Sequence, residues 1–200
     1  MDARLVAWAR SVKVKQRNSV PHLPPLWLFS DPVRLPDPCA VVARLPRGLC
    51  GVVFRPSPGP DQVEIGFRLR RICRDRRLTL VVAADWRVPG DWRLAAALGA
   101  GMHLRGGHRP RAPRFLLART SSAHTPLDLL RSRRAGVCLA FLSPVFPTDS
   151  HPGGLALGAL RWARWTRNTL PAALGGVDGW RVRRLPGCRA VGAIGAIGRP

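Results

Sequence analysis

Lysine is nearly missing from this 200-residue chain: Lys13 and Lys15 stand alone among 33 basic residues, and the rest are arginine. Acidic residues are scarce too, 11 against those 33, so the formal charge is +22. That imbalance predicts attraction to polyanions at low salt. It does not predict specific nucleic-acid recognition, because the arginines run from Arg4 to Arg199 and no zinc-finger, KH or RRM signature is present. The cysteines, Cys39, Cys50, Cys73, Cys138 and Cys188, are odd in number and contain no CxxC pair. This excludes a disulfide framework or clustered zinc site and leaves small, buried, reduced thiols. No apolar run approaches the ~20 residues that cross a bilayer, so no membrane partner is expected. The first residues carry charges instead of an apolar leader, and a cytoplasmic location is expected.

With 46% apolar residues, the chain can bury a substantial core. Residues 1–25 read as a basic N-terminal helix and linker. Residues 2–16 place Leu5, Trp8, Ala9 and Val12 on one helical face, and 18–25 are rich in breakers. From 26 to 200 a rhythm sets in. Short apolar runs occupy 26–30, 51–55, 78–84, 101–104, 115–119, 137–145, 172–176 and 190–194. Unbroken apolar runs are expected of parallel strands covered on both faces. Eight of them, with helical stretches between, predict a small TIM (β/α)8 barrel.

Three helical stretches support this. Residues 61–74 space Val63, Ile65, Leu69 and Ile72 for one face. Residues 126–134 follow Thr125 as N-cap, with Asp128 in the first turn. Residues 155–167 carry Leu157, Leu160, Trp162 and Trp165. Residues 105–113 are too short and too rich in Pro and Gly for a full fourth helix, and the eighth is expected to be missing or truncated. The N-terminal helix could close the barrel bottom instead.

In such a barrel the ligand lies at the C-terminal ends of the strands. The residues just past the apolar runs include Asp31, Arg55, Asp85, His103, Ser122, His124, Thr148, Ser150, Gly175, Gly176, Ile194 and Gly195. Glycines there let backbone N–H groups approach an anion, hydroxyls add donors, and Arg55 offers a planar fork for phosphate. Each has a plainer reading. The Gly175–Gly176 pair fits an ordinary tight turn, Asp85 could cap a helix or pair with Arg87, and His124 could be a satisfied core histidine.

Several segments carry a resemblance. Phe141-Leu-Ser-Pro-Val-Phe-Pro-Thr-Asp-Ser150 resembles the Gly-Pro-Val-Phe-Pro-Thr loop of the thiamine phosphate synthase/TenI family. Ser122-Ala-His-Thr125 matches that family's Ser-x-His turn, and Leu174-Gly-Gly-Val177 is similar to its Ile-Gly-Gly-Ile. Leu26-Trp-Leu-Phe-Ser-Asp-Pro32, Gly99-Ala-Gly-Met-His-Leu104 and Val191-Gly-Ala-Ile-Gly-Ala-Ile197 follow its other strand ends in the same order.

The resemblance implies a TIM barrel acting in thiamin biosynthesis. A synthase couples a pyrimidine methyl diphosphate to a thiazole phosphate with Mg2+ and releases pyrophosphate. A TenI-like isomerase would use His124 as acid/base. On the thiazole-phosphate side it implies Thr148, Asp149, Ser150, Gly176, Ile194 and Gly195, the last standing where the family has serine. On the diphosphate side it implies Arg55 and Ser122, with Asp85 as magnesium ligand. That second side is reduced. Val53-Phe-Arg-Pro-Ser57 keeps only the arginine of Gln-Leu-Arg-x-Lys, and Ala84-Asp85 keeps one member of Asn-Asp. Arg105-Gly-Gly-His108 lacks the second carboxylate, and His151 replaces a lysine. The chain is therefore expected to be a divergent transferase of this kind, impaired on its diphosphate side. The alternatives are the isomerase or a non-catalytic thiazole-phosphate-binding or regulatory descendant.

Overall fold

The computed structural model describes residues 2–16, 23–31, 33–56, 59, 61–113, 117–148, 153–167, 171–193 and 197. Its strands are β1 (Leu26–Phe29), β2 (Cys50–Phe54), β3 (Thr79–Ala84), β4 (Gly101–Leu104), β5 (Ala118–Ala123), β6 (Leu139–Leu142), β7 (Pro171–Leu174) and β8 (Ala190–Ala193). Each pairs in parallel with its neighbours in sequence. β8 returns to β1 through Leu26 opposite Val191, which closes the barrel. Helices α1 (Ala3–Lys15), α2 (Cys39–Val42), α3 (Asp61–Asp75), α4 (Arg93–Ala97), α5 (Pro126–Arg134) and α6 (Gly158–Thr166) accompany it, with a 3-10 turn at Arg181–Arg184. This is the (β/α)8 barrel that the eight apolar runs predict. Among the described residues no helix separates β4 from β5.

The barrel interior is a small aromatic cluster. Trp27, Phe29 and Phe141 meet edge to face, with ring centroids 5.8 Å (Trp27–Phe141) and 5.0 Å (Phe29–Phe141) apart. Glycine makes that possible. A methyl at Gly51 would strike the Trp27 indole, and one at Gly192 the Phe29 ring. Ala172 and Ala190 give the same relief to their neighbours in the cluster. His103 of β4 completes the layer, edge-on to Phe29 at 5.4 Å, with Nδ1 2.8 Å from the Thr120 hydroxyl. Burial is the main cause of its pKa being pushed down to about 3, so the imidazole is neutral.

The second core lies between the strands and the helices, and α1 belongs to it through fully buried Leu5 and Ala9. Asp2 caps α1, its Oδ1 accepting from the N–H groups of Arg4 and Leu5. Its Oδ2 accepts from Gly179 N–H at 2.7 Å, in the loop after β7. At the other end, Lys13 Nζ donates to the Gly48 carbonyl and Gln16 Nε2 to that of Arg189, just ahead of β2 and β8. The helix thus runs along the wall beside β8 and β1, where an eighth outer helix would stand. It does not lie across the bottom, because its apolar stripe has the wall to bury against.

Two sequence expectations need correction. The fifth strand covers Ala118–Ala123, so it runs four residues past the expected 115–119, of which 115 and 116 lie outside the described residues. Its Arg-Thr-Ser-Ser sequence is polar because Thr120 and Ser121 bond within the barrel, so an apolar-run criterion passes over it. The apolar faces assigned to two helices are also incomplete. Val63 of α3 is half exposed and Leu160 of α6 is 90% exposed, whereas Trp162 is fully buried. The cysteines are unpaired, and burial pushes the thiols of Cys50, Cys73 and Cys188 up to about 12.

His103 gives stability a pH dependence of fixed sign. Unfolded, it titrates near its ordinary 6.5; folded, near 3. Between those values the unfolded chain binds the extra proton, so stability is full above pH ~6.5 and falls on acidification, by up to about 1.4 kcal/mol per pH unit. Urea unfolding at pH 7.0, 6.0 and 5.0 should show this slope, and His103→Gln should flatten it. The lowered carboxyls, such as Asp31, act only below their ordinary value of 3.8. A slope unchanged in the variant would mean that His103 is not held neutral.

Candidate functional site

All eight strands point the same way, so their C-terminal ends share one face, and the rim there is tied across neighbouring strands. Arg55 is the first residue past β2. Its N–H donates to Ser30 Oγ at 2.7 Å, while its side chain is exposed. Its charge adds to burial in keeping His103 neutral, which puts that cation near the barrel mouth.

Asp85 follows β3. Arg87 donates to it through Nε at 3.0 Å and Nη2 at 2.7 Å, and Arg105, past β4, donates through Nη1 at 3.1 Å. The Arg87 side-chain hydrogen bond is the largest influence on the carboxyl. Burial opposes it, and Arg87 N–H and the two arginine charges reinforce it. The result is a carboxylate held well below its usual range. Asp91 in turn accepts the backbone N–H of Asp85. The Asp85–Arg87 pair is the plainer reading that the sequence offers, whereas Arg105 was not expected beside Asp85. The signal for Arg105 is the register, because Ala84 pairs with Leu104 and the next residue on each strand is then a neighbour.

Across β4 and β5, Gly106 N–H donates to Ser122 Oγ at 3.3 Å and Gly107 N–H to Ser121 Oγ at 2.9 Å. Both serines therefore brace the turn after β4. The same turn carries His108, stacked on half-exposed Trp86 at 4.8 Å.

His124 follows β5. Thr125 caps α5 and Asp128 closes a capping box, its Oδ2 accepting from the N–H groups of Thr125 and His124, each at 3.0 Å. Partial burial raises the Asp128 carboxyl, but these bonds and the Arg131 charge outweigh it and lower the pKa. The box fixes the His124 backbone, and the Ser143 carbonyl fixes its ring by accepting from Nδ1 at 2.9 Å. A carbonyl cannot donate, so Nδ1 carries hydrogen and the neutral ring keeps its lone pair on Nε2.

The loop after β6 begins with a cis Ser143–Pro144 peptide and docks on β7. Val145 N–H donates to the Leu174 carbonyl and Phe146 N–H to that of Gly175, at 3.0 and 3.1 Å. Gly176 sits at φ +64°, and a side chain there would collide with the Pro147 and Phe146 carbonyls. Arg181 clamps the seam, donating to the Gly176 carbonyl at 2.9 Å and lying over the Phe146 ring. Thr148, half-buried, ends the described part of this loop. Asp149, Ser150, Ile194 and Gly195 lie outside the described residues, as does His151.

The structure therefore places Arg55, Asp85, Ser122, His124, Thr148 and Gly176 in ring order on one face. The donor set does not fit the magnesium that the resemblance implies. Both Asp85 oxygens accept from guanidinium groups, whose charge opposes a dication, and among the described residues no group of three or more His, Cys, Asp or Glu could hold a metal ion. A cleft of about 530 Å3 lies at the opposite, N-terminal face, between α1 and the starts of β1 to β3.

Fold and site position define a TIM barrel with its candidate site in the strand-end loops. Among solved structures, the chain is similar to thiamine phosphate pyrophosphorylase from Pyrococcus furiosus, with TM-score 0.69 and 22% identity over 87% of each chain. It is also similar to FabK from Thermotoga maritima, with TM-score 0.59 and 13% identity over 84% of this chain and 57% of that one. For KDPG aldolase from Legionella pneumophila the values are TM-score 0.52 and 15% identity over 86% and 82%. At these identities the likeness establishes the fold. No protein-family model matches the chain, and no curated protein matches its sequence.

Gly176→Ala is expected to destabilise the docked loop by about 1–3 kcal/mol, through left-handed backbone strain and the carbonyl collision. Thermal melting checks this, with Gly153→Ala as control, since Gly153 is also at positive φ but has open space around it. Equal losses would show that strain alone acts and the seam contributes nothing.

Proposed function

We propose that the protein acts in thiamin biosynthesis as a divergent thiamine phosphate synthase, joining a pyrimidine methyl diphosphate to a thiazole phosphate. The observation that carries this reading is the guanidinium cluster on Asp85. A departing pyrophosphate accumulates negative charge and needs cations to receive it. The lysines of the resembling family are absent, but Arg87 and Arg105 meet at the ends of β3 and β4, with Arg55 past β2. Guanidinium stays charged and presents a planar fork to phosphate oxygens. Asp85 holds the two arginines in place and is a positioning residue. The thiazole phosphate would take the opposite side of the mouth, at the Thr148 loop and Gly176. The name of the Pyrococcus furiosus neighbour agrees with this reaction class.

Purified protein incubated with both substrates should form thiamine phosphate and pyrophosphate. Arg87→Gln and Arg105→Gln should each lower kcat/KM roughly ten- to a hundredfold, the scale of a charge-assisted hydrogen bond. Thr148→Ala should weaken thiazole-phosphate affinity in calorimetry. No product under any magnesium concentration would sink the synthase reading.

One observation favours a second reading. The Ser143 carbonyl sets the His124 tautomer and leaves the lone pair on Nε2, which suits the acid/base role that the resemblance to TenI-like isomerases implies for this histidine. If that chemistry operates, His124→Ala abolishes isomerisation of a thiazole carboxylate phosphate while thiazole-phosphate binding persists. Turnover equal to wild type removes His124 from catalysis. Thiazole-phosphate binding with neither turnover leaves a binding or regulatory descendant.

A further inference from the structure

The surplus of positive charge is sorted by the fold. Every helix descends from the C-terminal face to the N-terminal face, α1 included. Carboxylates are favoured at helix N-termini and cations at C-termini. Asp61 and Glu64 open α3 and Asp128 opens α5, while Arg74 closes α3 and Arg133 and Arg134 close α5. The ion pairs follow. Asp31–Arg34, Asp37–Arg68, Asp85–Arg87, Asp85–Arg105, Asp128–Arg131 and Asp178–Arg181 all involve carboxylates beside strand ends or helix starts. Among the described residues, Asp75 alone lies at the N-terminal face, and it is paired with Arg74.

That face therefore keeps its charge. Arg44 and Arg47 lie in the turn before β2, Arg77 in the turn before β3, Arg133 and Arg134 at the end of α5, and Arg189 before β8, all exposed. None of the described ion pairs uses them. The 530 Å3 cleft opens here and adds Arg10 and Lys13 to its walls, giving the cations depth as well as breadth. The exposed aromatics lie elsewhere: Phe67 is mid-α3, Trp86 follows β3 and Trp180 precedes the 3-10 turn.

We propose that the N-terminal face of the barrel binds the phosphate backbone of a nucleic-acid double helix, without sequence preference and separately from the ligand face. The described exposed aromatics Phe67, Trp86 and Trp180 lie away from these arginines, and this arrangement suits a duplex, because single strands are held by stacking bases on such rings. Arginines distributed over a broad face suit phosphates repeated along both strands, and contacts made only to phosphate carry no sequence information.

The test uses the full chain, a fluorescent mixed-sequence DNA duplex of about 24 base pairs, and anisotropy. Affinity should fall about 10^3-fold or more between 50 and 200 mM KCl, as expected when six or more phosphates are neutralised. Two variants of equal net charge then separate location from total charge. Arg44→Gln, Arg47→Gln, Arg133→Gln and Arg134→Gln together should weaken binding at least tenfold at 100 mM KCl and reduce the salt slope. Arg34→Gln, Arg87→Gln and Arg105→Gln on the opposite face, together with Arg68→Gln midway along α3, should change it less than about threefold. Circular dichroism establishes that both fold, and the pairs Arg44/Arg47 and Arg133/Arg134 are tested separately if the quadruple variant does not. Equal losses from the two faces overturn the proposal. So does tighter binding of a single strand of the same length, or of phosphatidylserine vesicles at equal phosphate.

Discussion

Closure of the parallel sheet is the constraint on which the rest depends. Strands of only four to six residues make a weak open sheet, and each edge would expose unpaired N–H and C=O groups. Pairing β8 with β1, continued by Val191 N–H donating to the Pro25 carbonyl, removes both edges. Closure then dictates the interior. The ring is narrow, so Trp27, Phe29 and Phe141 fit only because glycine stands opposite two of them, and one polar ring, His103, is accepted in neutral form with Thr120 as partner. α1 reinforces the seam from outside, bonded at Gly179 and at Gly48.

The same closure gives every strand one direction and every outer helix the other. Function and charge are sorted by that fact. Rim residues meet their neighbours because adjacent strands end at similar heights: Arg55 with Ser30, Arg105 with Asp85, Gly106 with Ser122, His124 with Ser143. Helix ends sort the remaining charges, carboxylates upward and guanidinium groups downward, where the scarcity of acid leaves them unmatched.

Much of this was legible in the residues, for identifiable reasons. The range 126–134 is the helix the sequence predicts, because Thr125, Pro126 and Asp128 spell a capping box with proline in the first turn. Seven strands follow from apolar runs. β5 does not, because its inward groups are hydroxyls that serve the structure through hydrogen bonds rather than burial of hydrocarbon. Residues at the rim were legible as positions and not as roles. Ser122 braces the Gly106 turn, and His124 owes its tautomer to a carbonyl nineteen residues away, which no local pattern encodes.

Asp85 shows why roles resist transfer even where a residue is retained. A lone carboxylate beside a second carboxylate prefers a dication; the same carboxylate between two guanidinium groups does not. The chain's almost complete use of arginine in place of lysine bears on this choice. Lysine ends in a compact, strongly hydrated point charge, whereas arginine reaches a carboxylate through several parallel donors and holds it. With Arg87 close in sequence and Arg105 brought close by the β3–β4 register, guanidinium groups occupy both oxygens of the Asp85 carboxylate. The outcome is a preorganised cationic corner whose position is set by Asp85. Guanidinium groups fixed in this way need no reorganisation to face a negative charge, which is what electrostatic preorganisation means.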